Sequence, residues 1–137
     1  MIEEKDYLKR QIDMFSKVLA KCISILLGIK GDKHLNSGIE SVCQILESEL
    51  DIDINSFILV DDDSLVDTLM IEKGFNNANL DSIAEILMLF ADNVSMIDNE
   101  KAKILRKKSL VIYEYLEINE STYSLCRHLQ IDKMRKD

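Results

Sequence analysis

Not one proline interrupts this chain of 137 residues, and only four glycines do. Folds that depend on many tight reversals draw heavily on both residues, so an all-β or an α/β chain is poorly served here. The composition is rich in Leu, Ile, Glu, Lys and Asp, and helix is the element that remains. Hydrophobic residues make up 47% of the chain and charged residues 31%, which argues against disorder. No apolar run approaches the ~20 residues of a membrane span. The expectation is a single all-α domain over 1–137, large enough to bury a core without disulfides.

Periodicity supplies the elements. Leu8, Ile12, Phe15, Leu19, Cys22 and Leu26 recur at spacings of three and four, the mark of one apolar helix face. Gly28 and Gly31 stop that helix. Ile39, Val42, Ile45, Leu46 and Leu50 repeat the pattern after a loop, with Asn36 or Ser37 as the expected cap. The N-terminal hairpin is therefore placed at about 3–50. An acidic connector with short helices follows over 51–75 and ends at Gly74. Asn79 is the natural N-cap of the next helix, where Leu80, Ile83, Leu87, Phe90, Val94 and Ile97 form one stripe. Ile86, Leu89 and Met96 add a second apolar side, which makes this helix a central one. Across a tight turn at Asp98 and Asn99 the next helix carries Ala102, Leu105, Ser109, Ile112 and Leu116 on one face. These two should form a second antiparallel hairpin over 79–118, followed by a C-terminal helix over 121–134 that carries Leu125, Cys126 and Leu129. About five or six helices result.

The second hairpin resembles a tetratricopeptide repeat, a helical pair in which small residues allow close approach and large residues lie a turn away. Leu87 and Phe90 stand at large positions, Ala91 at a small one and Val94 at another large one, while Ala102 and Ser109 supply the small residues of the second helix. The loop is about one residue shorter than the repeat expects, and the terminal proline is missing. An earlier echo runs through Ala20, Ile23, Ser24 and Leu27, then Gly38, Val42 and Ile45. The order of elements resembles a group of uncharacterised bacterial proteins with degenerate tetratricopeptide-like repeats. That resemblance implies hairpins stacked in a tetratricopeptide-like arrangement and carries no activity.

Charge narrows the partners. A net charge of −8 repels nucleic acid and anionic membranes at long range, so neither is expected as a partner. Lys101, Lys103, Arg106, Lys107 and Lys108 form a dense basic run without interleaved aromatics, matched by an acidic stretch over 47–63 that could pair with it. Within that stretch, Asp51, Asp53 and Asn55 occupy the first, third and fifth positions of a degenerate EF-hand-like loop over 51–62, with Ile58 at the eighth. Ser56 replaces the bend glycine, Leu59 offers no ligand, and Asp62 is shorter than the usual glutamate. A calcium-responsive helical protein is thus the alternative reading.

Signals for catalysis are sparse. His34 and His128 lack a metal-ligand spacing, and both are expected at the surface. Cys22, Cys43 and Cys126 show no CxxC pattern, and Cys22 and Cys43 fall on apolar faces, where a buried thiol is the ordinary outcome. The opening Met1-Ile2-Glu3-Glu4 lacks the basic start of a secretion signal, so the compartment expected is the cytoplasm. No cofactor or metal is assigned. Tyr113 and Tyr115 stand two apart on one helix and cannot share a core face. With Ile86, Leu89 and Met96 they form the candidate interaction surface, covered either by the C-terminal helix or by a second copy in a homodimer. The function expected is a non-enzymatic protein-interaction or scaffold module.

Overall fold

The computed structural model describes residues 2–29, 32–119 and 125–136, with side chains over 9–11, 13–29, 37–119 and 127–135. The elements are α1 (Ile2–Leu27), α2 (Asp32–Leu50), α3 (Ile54–Leu59), α4 (Asp62–Asp67), a π-helical turn (Thr68–Glu72), α5 (Asn77–Val94), α6 (Asn99–Asn119) and α7 (Leu125–Lys136). No strand occurs among the described residues, and the chain is all-α. No helix among them is long and apolar enough to cross a membrane.

Helix α5 is central because it is apolar on most of its circumference. It lies between α1 and α6, while α2 packs on α1 and α7 packs on α6. Leu80, Ile83, Leu87, Phe90 and Val94 are all buried, as are Phe15, Leu19, Cys22 and Leu26 of α1 and Leu105, Ile112 and Leu116 of α6. Side chains of Leu8, Ile12, Leu125 and Cys126 lie outside the described residues.

Small residues set the α5–α6 distance. Ala84, Ala91, Ala102 and Ser109 are fully buried, and the Ser109 hydroxyl donates to the Ala84 carbonyl at 2.6 Å. That bond fixes the antiparallel register, in which Ala91 and Ala102 stand two turns along and opposite one another. The first hairpin has its own close approach at Gly38, where an added Cβ would lie 2.7 Å from the Ile29 side chain.

Helix ends depart from the sequence expectation in instructive ways. The cap of α5 is Asn76, not Asn79: the Asn76 side chain accepts from the Asn79 amide at 2.8 Å, and the Asn79 side chain accepts from the Asn76 amide at 3.1 Å. This reciprocal box satisfies two orphan amides at once, which a cap at Asn79 could not do. Asn79 is buried by it and reaches Ser16 of α1 at 3.5 Å. Helix α2 begins at Asp32, so Asn36 and Ser37 are interior positions rather than caps. At the other end of α5 the helix stops at Val94, which leaves Met96 and Ile97 in a turn and exposed instead of on the apolar stripe. Asp98 then caps α6 by accepting from the Lys101 amide at 3.1 Å.

Two helical segments close on a left-handed residue. Gly74 has φ 73°, with the Phe75 amide bonded back to the Leu69 carbonyl at 3.2 Å. Asp51 does the same after α2 with φ 54°, and the Ile52 amide reaches the Leu46 carbonyl at 3.0 Å. Such a position suits glycine and strains a side chain. Asp51→Gly is therefore expected to raise stability by about 0.5–1 kcal/mol in urea unfolding. The exposed Lys73–Asp51 ion pair at 3.7 Å contributes little, and the Lys73 bond to the Asp51 carbonyl at 2.6 Å survives the change. A lower urea midpoint for this variant would show the carboxylate to matter more than the backbone.

Candidate functional site

The acidic connector folds onto the basic run of α6. Helices α3 and α4 both pack on α6. Asp53 is used locally, its side chain accepting from the Asn55 amide at 3.0 Å to cap α3, which buries Ile54 and Phe57. Lys101 then donates to the Asn55 side chain at 2.8 Å and lies 5.7 Å from the Phe90 ring centre. Lys107 stands 3.5 Å from Asp62. Lys108 is the central group: only 6% exposed, it donates to the Val60 carbonyl and to Asp62 at 2.5 Å. The hydrogen bond from Lys108 holds the Asp62 carboxyl below its ordinary pKa, against the opposing effect of partial burial.

Three of the four aspartates over 51–62 consequently serve separate partners. Asp51 faces Lys73, Asp53 caps α3, and Asp62 binds Lys107 and Lys108. No group of three His, Cys, Asp or Glu side chains placed to hold a metal ion occurs among the described residues.

The five residues expected as one interaction surface do not lie together on one. Ile86 is fully buried and Tyr113 only 4% exposed, whereas Met96 is 92% exposed in the α5–α6 turn. Leu89 and Tyr115 are half-buried. The reason is cover from within the chain. Helix α7 packs on α6, and Arg127, itself buried, approaches Asp81 of α5 at 3.5 Å. Burial pushes the Tyr113 phenol up, helped by Asp81 and Glu85 and opposed by Arg127; burial likewise pushes the Glu85 carboxyl up, with Asp81 adding to it. Tyr115 is met from the other side, its hydroxyl donating to the Met70 thioether of the π-helical turn at 3.4 Å. The need for an outside partner at Ile86 and Tyr113 is thereby removed.

His34 lies outside the described side chains. His128 stands half-exposed on α7, 3.7 Å from Glu117 and 3.6 Å from Asp132. Cys22 is fully buried and Cys43 half-buried, and both are free thiols. Burial pushes Cys22 up to about 11 and raises Cys43 as well. In a Cys43→Ser/Cys126→Ser background, Cys22 should react with a thiol reagent at pH 8 only as fast as the fold opens. Labelling as fast as in denaturant would show the site to be accessible.

Among several surface depressions of the described residues, one is lined by cations and apolar groups with no carboxylate in its lining, whereas those on α1–α2 include Glu47, Asp51 or Glu49. A groove of about 510 Å³ lies between α6 and the end of α7, lined by Asn99, Lys103, Arg106, Lys107, Leu110 and Met134. Its α6 residues recur at helical spacing, so they form one stripe on the side not taken by α5. Lys103 and Lys107 are well exposed, with side chains 63% and 71% accessible, and Arg106 is held by Asp92 at 3.1 Å. The basic run was visible in the sequence; its division into a buried half at Lys108 and an open half at Lys103 and Lys107 required the connector to be placed.

Compared with protein-family models, curated proteins and solved structures, the chain finds no match.

Proposed function

We propose that this chain is a non-enzymatic protein-interaction module, built from hairpins stacked in a tetratricopeptide-like manner and presenting the outer stripe of α6 to a partner. The single observation that carries the reading is the groove between α6 and α7, whose walls combine exposed cations with the apolar groups of Leu110 and Met134. An apolar floor with a polar rim is the common anatomy of recognition sites. The stacking is supported by the neighbour order, α2 on α1, α1 on α5 and α5 on α6, and by small residues where the helices of each hairpin meet. A reducing compartment such as the cytoplasm accords with the free thiols of Cys22 and Cys43. A homodimer through the second hairpin has less to recommend it once Ile86 and Tyr113 are covered within the chain, which leaves Met96 and Ile97 at the hairpin tip and Ile118 at the far end of α6 as its exposed apolar groups.

The test is site-specific photocrosslinking in extract of the native host. A benzophenone side chain at position 107 is expected to capture a discrete protein, while the same group at position 21 on α1 captures none. Absence of protein adducts across a scan of the exposed α6 and α7 positions would overturn the reading.

A further inference from the structure

We infer that the α6–α7 groove binds an acidic amphipathic helix, with carboxylates on Lys103 and Lys107 and an aliphatic side chain seated on Leu110 and Met134. The inference rests on the interaction reading above and adds the chemistry of the partner. Three observations select this occupant.

The first is charge. Among the described residues, Lys103, Arg106 and Lys107 line the groove and no carboxylate does, on a protein whose net charge is −8. At physiological salt the screening length is about 8 Å, so a ligand at the groove responds to these cations more than to the distant net charge. Each of the three cations already has a carboxylate neighbour outside the lining: Glu100 3.9 Å from Lys103, Asp92 3.1 Å from Arg106, and Asp62 3.5 Å from Lys107. They moderate the field, which favours a ligand with a few spaced charges over a polyanion such as nucleic acid.

The second is spacing. Lys103 and Lys107 are one helical turn apart, about 6 Å, the same interval that separates carboxylates at i and i+4 on a partner helix. From Asn99 to Leu110 the stripe runs about 16 Å along α6, long enough to accept about three turns. The third is the floor. Leu110 and Met134 are both half-buried, and methionine adapts its shape to an inserted aliphatic group. A helix laid in a groove with one apolar anchor and flanking acids meets all three conditions.

Fluorescence anisotropy with a labelled alanine-based peptide of about four turns tests this, the peptide carrying Glu at i and i+4 and Leu at i+7. Saturable binding that weakens as salt rises is expected, with at least about a tenfold loss in the Lys103→Glu/Lys107→Glu variant. Lys17→Glu/Lys21→Glu on α1 should leave binding unchanged, which separates the groove from general charge. Circular dichroism is expected to be the same for both variants, since all four lysines are exposed. The inference is overturned if the peptide does not saturate, if a Gln-for-Glu peptide binds equally, if both charge variants weaken it alike, or if an oligothymidine binds more tightly than the peptide. A protein adduct at position 107 together with a failed peptide titration would sink the acidic-helix inference alone. No adduct anywhere would sink the interaction reading itself.

Discussion

Ala91→Phe should destabilise the chain by about 1–3 kcal/mol or more, seen as a fall in Tm of about 4 °C for each kcal/mol lost. Ala91 is fully buried on the central helix, and the register set by Ser109 and Ala84 places it opposite Ala102. A phenyl ring there has no space unless α5 and α6 separate, and separation would also pull Ser109 from the Ala84 carbonyl and leave two buried polar groups unpaired. Ala78→Phe is the control, since Ala78 is exposed in the first turn of the same helix. It should change stability by no more than about 0.5 kcal/mol. Equal Tm values for the two variants would mean that α5 and α6 are not in close contact.

Lys108→Ala carries the second large effect. The ammonium is almost wholly buried yet serves two acceptors, the Val60 carbonyl and Asp62, and its stem fills space between α6 and the connector. Removing one partner of a fully buried pair costs roughly 3–5 kcal/mol; here Asp62 keeps a side chain 30% exposed and recovers some hydration, so about 2–4 kcal/mol is expected. The pH dependence distinguishes the ion pair from lost packing. Because the folded-state pKa of Asp62 is lowered, its contribution is present above the unfolded value near ~4 and is lost as pH falls through the folded value. The wild type should therefore lose stability on acidification in that window more steeply than Lys108→Met, which keeps the bulk of the stem without the charge. Parallel stability curves for the two proteins would show that Asp62 gains nothing from Lys108.

The same residue shows where reading the sequence stops. The apolar stripes of α1, α5 and α6 were legible because period and burial are one signal: Leu19, Leu87 and Leu105 are inside for the reason that they recur every three or four residues. Lys108 falls on the same side of α6 as Leu105 and Ile112, but its charge hides it from a reading based on hydrophobicity, and its burial depends on a carbonyl and a carboxylate nearly fifty positions away. The exchange of Asn79 for Asn76 as the cap is a local matter that several adjacent asparagines make ambiguous, and the reciprocal box resolves it. Tyr113 and Tyr115 looked uncovered because the contributions of α7 and the π-helical turn are tertiary: Arg127 meets Asp81 beside Tyr113, and Met70 meets Tyr115, only in the fold. The groove escaped for a related reason, since Met134 belongs to the charged tail and becomes a wall only when α7 lies on α6. Asp51 shows the limit of turn chemistry, where an aspartate holds a conformation that glycine signals would have announced.

The most direct measurement is an amide chemical-shift titration of the isotope-labelled chain with the Glu-and-Leu helical peptide. Shifts confined to residues 99–110 and the neighbourhood of Met134, saturating together and reduced as salt is raised, are the result predicted. Shifts centred on α1 and α2, or a spectrum unchanged at saturating peptide, would contradict a binding stripe on the outer face of α6.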